Sequence, residues 1–152
     1  MTIEQAISNA VAAEQAAARF YTRLSALARD EKTRTFLLDM ADEEKDHARQ
    51  IARWGTAYGN TTNGVEPDPR AVTVETAPAW EQAEVIDLEQ ALGLAIEAEN
   101  NASLYYDALS DYFSGSTADF LKMLSDQELG HAQRLQELKG WLLDPDGQQP
   151  PV

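Results

Sequence analysis

The chain has 152 residues, of which 43% are hydrophobic and 25% are charged, and this predicts one soluble globular domain with a sizeable core. Its 26 acidic and 12 basic residues give a formal net charge of -14, which disfavours binding to nucleic acids and to anionic membranes. Cysteine is absent from the sequence, which excludes disulfides, iron–sulfur clusters, thiolate catalysis and cysteine zinc sites.

The first part of the sequence predicts two helices and a long connection. Neither glycine nor proline occurs in Ile3–Ala28, and the abundant alanine favours a first helix over this range. A second uninterrupted stretch predicts a helix over Glu31–Trp54 that stops at Gly55. Glycines, asparagines and three prolines then predict a crossover without regular structure over residues 55–86.

The remaining part of the sequence predicts two further helices and a tail. Asp87 is placed to cap a third helix over Leu88–Phe113. A turn at Ser114–Ser116 separates it from a fourth helix over Thr117–Leu143. The proline-rich tail, residues 144–152, is predicted to be disordered.

All four predicted helices carry apolar side chains at spacings of three and four residues, so each has one face to bury. Together with two short turns and a long crossover, they predict an all-α four-helix bundle over residues 1–143. The sequence also repeats itself, because Phe36–Ala48 is similar to Phe120–Ala132, and the first helix is similar to the third. We therefore expect a duplicated helical hairpin, in which a site in one half has a partner in the other.

Ionisable side chains interrupt each apolar stripe near one level of the bundle. The six residues predicted to face the interior are Glu14, Glu44, His47, Glu99, Glu128 and His131. Four buried carboxylates repel one another and are costly to desolvate, and these stripes offer no lysine or arginine in compensation. Two divalent cations would balance the four negative charges, so the pattern predicts a dinuclear metal site. The alternative is a wrong helical phase, which would place these residues on a solvated surface.

The spacing within each helix suggests a role for each ligand. Residues three positions apart share one helix face, so the glutamate and histidine of each Glu-x-x-His pair can serve the same site. We expect Glu44 and Glu128 to bridge the metals, Glu14 and Glu99 to be terminal ligands, and each histidine to bind one metal. Oxygen and imidazole ligands without thiolate suit iron or manganese, and zinc is compatible.

Two tyrosines are the candidate catalytic residues. Tyr21 and Tyr106 each follow a terminal glutamate by seven positions, which places them on the same helix face. They are candidates for hydrogen bonding to the ligands or for tuning electron transfer, and simple core packing is the alternative. The polar residues that point away from the stripes are predicted to lie on the surface, namely Glu43, Asp46, Glu97 and Gln127.

The two Glu-x-x-His pairs, together with the segments Asp42–Ala48 and Ala95–Tyr106, resemble the ferritin-like di-iron carboxylate superfamily and are most similar to its rubrerythrin group. The resemblance extends over Ile3–Leu142. It implies a ferritin-like bundle that holds two iron ions and forms a homodimer. It also implies a di-iron oxidoreductase that oxidises Fe(II) or reduces hydrogen peroxide or oxygen.

The sequence departs from the rubrerythrin pattern in two respects. Rubrerythrins carry an additional glutamate about one turn beyond the first glutamate of the third helix, where this chain has Asn100 and Asn101. Six ligands remain, as in bacterioferritin-type ferroxidase sites. Rubrerythrins also often carry a cysteine-ligated rubredoxin domain, so a chain without cysteine is expected to use a separate protein or small molecule as electron donor.

Two other functions remain open from the sequence. One is iron storage or carriage, although storage needs a hollow cage and the proline-rich tail offers no fifth helix to build it. The other is a structural or cargo protein whose metal holds the bundle without turnover. Because no basic segment precedes an apolar run at the N-terminus, and no stretch approaches the roughly 18 apolar residues of a membrane span, we expect a cytoplasmic protein.

Overall fold

The computed structural model describes residues 3–57, 87–111, 113–144 and 146. Within these residues the chain forms four helices and no strand, so the predicted all-α class is confirmed. The helices are α1 (Ile3–Ser25), α2 (Glu31–Ala57), α3 (Leu88–Ser110) and α4 (Gly115–Leu143).

Local signals set the starts of three helices. The side chain of Asp30 accepts hydrogen bonds from the amide and the hydroxyl of the residue three positions on, both at 2.8 Å, and Asp87 accepts one from an amide at 2.8 Å as predicted. These bonds satisfy amides that have no partner within the helix. α4 begins at Gly115, whose φ of 62° is accessible to glycine, and not at the predicted Thr117. The predicted turn at Ser114–Ser116 is correspondingly shorter.

Two helices end earlier than predicted. α1 ends at Ser25 and not at Ala28, because the next three amides bond to carbonyls only three residues back, which tightens the chain into a turn. α3 ends at Ser110 and not at Phe113. At this end the Ser110 hydroxyl donates to the backbone carbonyl of Asp107 at 2.6 Å. Such a bond competes with continuation of the helix.

α2 is longer than predicted and runs through Gly55 to Ala57. Its last turns pack, because the Trp54 ring stacks on Phe120 at a centroid distance of 5.4 Å and meets the edge of Phe113 at 6.4 Å. A glycine weakens a helix by only about 1 kcal/mol, which such packing outweighs.

The four helices form two antiparallel hairpins, α1 with α2 and α3 with α4, as the sequence repeat predicts. One apolar cluster joins the end of α1, the start of α2, the start of α3 and the end of α4, so α2 and α3 run in the same direction. The end of α2 and the start of α3 therefore lie at opposite ends of the bundle. Residues 58–86 of the predicted crossover lie outside the described residues.

Two apolar clusters fill the bundle interior. The first includes Phe20, Tyr21, Leu37, Met40 and Leu135. The second includes Ile7, Ile51, Tyr106, Leu121 and Leu124. Each cluster contains residues from all four helices. The predicted ionisable residues lie at the level between the two clusters.

Of the predicted disordered tail, residues 144–152, only Asp144 and Asp146 are among the described residues. No helix in the described ranges combines the length and the apolar character that crossing a membrane requires.

Candidate metal centre

The six predicted site residues meet at the middle of the bundle. α1 and α3 each contribute one glutamate, and α2 and α4 each contribute a glutamate and a histidine. These residues are Glu14, Glu44, His47, Glu99, Glu128 and His131, and each is at most 5% exposed. The helical phase inferred from the apolar stripes is therefore right, whereas the role of these residues as metal ligands stays a prediction.

Each histidine lies closest to a glutamate of the opposite hairpin, and these two residues, Glu44 and Glu128, are the central glutamates of the cluster. His47 Nδ1 is 2.9 Å from Glu128 Oε1, and His131 Nδ1 is 2.6 Å from Glu44 Oε1. The glutamates on the same helices are farther from these nitrogens, at 3.9 and 3.7 Å. The two imidazole rings stack with 15° between their planes and 5.2 Å between their centroids. The site thus has the approximate two-fold arrangement that a duplicated hairpin predicts.

The central atoms are close together but are not oriented for hydrogen bonds. Both oxygens of Glu44, Oε1 of Glu128 and the Nδ1 atoms of His47 and His131 are buried without a hydrogen-bond partner. Such atoms are rare in proteins, and each costs about 1–3 kcal/mol. One ligand atom from each of these four residues lies within 4.8 Å of the others. Buried oxygens and nitrogens that converge in this way fit a bound cation, which would satisfy them together.

Two buried tyrosines donate hydrogen bonds across the bundle to Glu14 and Glu99, the outer glutamates of the cluster. Tyr21 Oη donates to Glu99 Oε1 at 2.5 Å, and Tyr106 Oη donates to Glu14 Oε1 at 2.8 Å. Burial, followed by the charge of Glu99, raises the pKa of Tyr21 well above its usual value, so the phenol keeps the proton that it donates. Each tyrosine thereby fixes one outer carboxyl group of the cluster.

The four carboxyl groups fall into two pairs with opposite pKa shifts. Burial, followed by the charges of neighbouring glutamates, raises the pKa of Glu44 and of Glu128 well above the usual range. Burial also acts to raise the pKa of the outer pair, but polar contacts to a central glutamate and a histidine outweigh it. The pKa of Glu14 falls to about 2, and that of Glu99 is lowered as well.

The histidines carry the balancing charge when no metal is bound. Burial opposes protonation of His47, but contacts with Glu128 and Glu14 outweigh it and raise its pKa to about 10. Contacts with Glu128 and Glu43 likewise overcome burial and raise the pKa of His131. The pKa shifts thus favour the charged form of both imidazoles and both outer carboxylates, and the neutral form of the central pair.

The prediction that Glu43 lies on the surface is only half right. Its side chain is 43% exposed, but Oε2 lies 3.5 Å from His131 Nε2, and both oxygens accept from Arg134 at 2.8 and 3.1 Å. Contact with His131, together with Arg134, lowers the pKa of Glu43 to about 2 in spite of its partial burial. Helical periodicity located the backbone position correctly and missed the reach of the side chain. The residue in the sequence that could have indicated this contact is Arg134, which follows His131 by three positions.

The other flanking residues are where the sequence predicts them. Asp46, Glu97 and Gln127 are exposed. Asn100 and Asn101, at the position of the additional rubrerythrin glutamate, are half-buried. Among the described residues, the buried cluster therefore contains four carboxyl groups and two imidazoles.

An oxygen-rich set of donors with two imidazoles is typical of iron and manganese centres in helix bundles. No curated protein and no solved structure matches the chain significantly. A model of the rubrerythrin family does match, and the match spans residues 5–139, which include all six cluster residues and both tyrosines. From this match, and from a bundle whose core holds the cluster, we conclude that the chain belongs to the rubrerythrin family.

Proposed function

We propose that this chain binds two iron ions at the buried cluster and acts as a non-haem di-iron oxidoreductase. In this class of reaction Fe(II) is oxidised and hydrogen peroxide or oxygen is reduced. The observation that carries the proposal is the convergence of four buried glutamates and two histidines whose central atoms lack hydrogen-bond partners. Membership of the rubrerythrin family supports the same function.

The proposed ligand roles follow the contacts within the cluster. Glu44 and Glu128 are central, each beside a histidine of the other hairpin, and would bridge the two ions. Glu14 and Glu99 would be terminal ligands, and each histidine would hold one ion. Manganese and zinc are compatible with these donors, and family membership favours iron.

The proposed reduction of peroxide balances with two electrons and two protons. Two iron ions held by the cluster would supply both electrons, and with two protons one hydrogen peroxide would give two water molecules. Cysteine is absent from the sequence, so the chain has no thiolate-held centre to return the electrons. We assign that step to a separate protein or small-molecule donor.

The chain's own residues would keep the site ordered and dry. The apolar clusters on both sides of the ionisable level exclude water from the bundle interior. Tyr21 and Tyr106 would hold Glu99 and Glu14 through their hydroxyl groups and tune electron transfer. We further propose a homodimer in the cytoplasm, with no nucleic-acid or membrane partner.

Loading with Fe(II) under anaerobic conditions tests the function. We expect about two ions per chain from metal analysis, as the two-cation site requires. Subsequent addition of hydrogen peroxide or oxygen should produce ferric absorption and consume the oxidant, and comparing the two rates identifies the preferred oxidant. Glu99→Gln should lose uptake and turnover, whereas Glu97→Gln is a matched control on an exposed position of the same helix.

The same samples distinguish the alternatives. Assembly into a particle of many chains with retained iron would favour storage, whereas a dimer would argue against it. A metal that can be removed only with loss of the fold, and that shows no turnover, would favour a structural role. Absence of uptake by the unmodified chain would overturn the proposal.

A further inference from the structure

The outer nitrogen of His131 faces a carboxylate from the other hairpin. Glu43 Oε2 on α2 lies 3.5 Å from His131 Nε2 on α4, while Nδ1 of the same ring points to the central glutamates. Arg134 donates to both oxygens of Glu43, at 2.8 and 3.1 Å, and so fixes the orientation of this carboxylate. A carboxylate thus lies beside the ring nitrogen of His131 that faces away from the cluster.

The other half of the duplicated hairpin lacks this arrangement. The repeat that pairs His131 with His47 pairs Glu43 with Gln127 and Arg134 with Gln50. Among the described residues, the carboxylates in ion-pair contact with His47 all face its Nδ1, and none contacts Nε2. The six inner residues therefore repeat across the two halves, whereas the residues behind the histidines do not.

A carboxylate behind a metal-binding histidine has a known physical effect. It accepts the proton of the second ring nitrogen, fixes the tautomer and the ring orientation, and makes the other nitrogen a better electron donor. Loss of such a partner typically weakens metal binding about 10- to 100-fold. A neutral glutamine side chain provides a weaker acceptor than a carboxylate.

We propose that the two metal positions are inequivalent and that Glu43, held by Arg134, is the positioning residue that makes them so. The position served by His131 binds a divalent cation first and about 10- to 100-fold more tightly than the position served by His47. This inference rests on the proposed metal site. It adds an order of filling that neither the sequence repeat nor family membership supplies.

A simpler role for Glu43 is an ion pair that joins α2 to α4. Its side chain is 43% exposed and that of Arg134 is 32% exposed, so such a pair contributes little to stability. An ion pair of this kind would affect unfolding and leave both metal positions unchanged. Stability and metal affinity therefore have to be measured on the same variants.

Anaerobic calorimetric titration with Fe(II), repeated with Co(II), tests the order of filling. We expect two steps in the unmodified chain, separated about 10- to 100-fold in affinity. Glu43→Gln should weaken the first step by a similar factor, so that the two steps merge. Gln127→Glu should strengthen the second step, and Asp42→Asn is a matched control at an exposed ion pair on the same helix.

Nitrogen NMR of the Zn(II)-loaded protein provides a readout that is independent of affinity. The chain has only two histidines, so both rings can be assigned by substitution. We expect a protected proton on Nε2 of His131 that Glu43→Gln exposes to exchange, with no change at His47.

Each outcome supports or overturns the inference. Two equal affinities in the unmodified chain, or two separated steps that Glu43→Gln leaves intact, would overturn it while leaving metal binding in place. No uptake by the unmodified chain would overturn the proposed function instead. If Glu43→Gln does not fold, Gln127→Glu carries the test, because an unchanged second step would contradict the inference.

Discussion

Tyr106 and Tyr21 occupy matching places in the two hairpins and each reaches across to a glutamate of the other. The hydroxyl of Tyr106 donates to Glu14 at 2.8 Å, and this bond contributes to the low pKa of that carboxyl group. Both rings are fully buried, so no water is available to replace a lost hydroxyl. A tyrosine in this position therefore affects the charge and the orientation of a proposed ligand.

Tyr106→Phe should weaken metal binding about 10-fold, as loss of a ligand's hydrogen-bond partner commonly does. It should also lower the free energy of unfolding of the metal-free chain by about 1–3 kcal/mol, because a buried oxygen of Glu14 loses its donor. Urea unfolding and Co(II) titration measure the two effects. Tyr105→Phe is the control, since Tyr105 packs edge-on against Tyr106 on the same helix. Unchanged Co(II) affinity would reduce Tyr106 to a packing role.

At the residue scale, the sequence was sufficient for the inner cluster and insufficient for its surroundings. The six inner residues were predictable because each interrupts an apolar stripe, and burial of a charge in such a stripe requires compensation. Glu43 was not, because periodicity describes where a side chain leaves the helix and not where its end lies. A long side chain at the flank of a stripe can reach the neighbouring helix, as Glu43 does to His131.

At the element scale, two glycines of α4 have opposite effects on the stability of the helix. Gly130 lies inside α4, and a Cβ built there meets no atom within 4 Å. Gly115 begins the same helix with a φ of 62°, a conformation that other residues adopt only at a cost. The first glycine weakens the helix without a packing reason, and the second is required by the turn that precedes it.

Gly130→Ala should therefore raise the free energy of unfolding by about 0.5–1 kcal/mol, the difference in helix propensity between the two residues. Gly115→Ala should lower it by about 1–2 kcal/mol because of the left-handed backbone. Thermal unfolding of the metal-free chain measures both changes. A loss of stability in Gly130→Ala would show that the space beside this glycine is occupied in solution.

The helix ends show where sequence reasoning reaches its limit. Glycine and proline spacing predicted four helices and their order, because these residues interrupt helices for local reasons. The sequence predicts the end of α2 three residues too early, since packing of Trp54 against Phe113 and Phe120 extends the helix through Gly55. Contacts between elements distant in sequence decide such ends, and no local pattern contains them.

At the scale of the whole molecule, the two hairpins together form the buried cluster of glutamates and histidines. Each hairpin supplies half of the inner cluster, and the closest contacts within it run from one hairpin to the other. The pKa shifts within the cluster favour charged imidazoles, charged outer carboxylates and neutral central glutamates, a pattern in which the charges balance. This pattern would keep the buried cluster close to electrically neutral in a chain whose net charge is -14.

This balance predicts that metal binding exchanges protons for cations. At neutral pH, two divalent ions should release about four protons, two from the histidines and two from Glu44 and Glu128, because the ligands bind in deprotonated form. Affinity should therefore rise with pH and fall as protons compete at low pH. Calorimetric titration with Co(II) in buffers of different ionisation enthalpy gives the number released. Glu44→Gln should lower it by about one if binding persists, whereas Glu97→Gln should not change it. Release of less than one proton per ion would contradict the charge pattern described for the metal-free cluster.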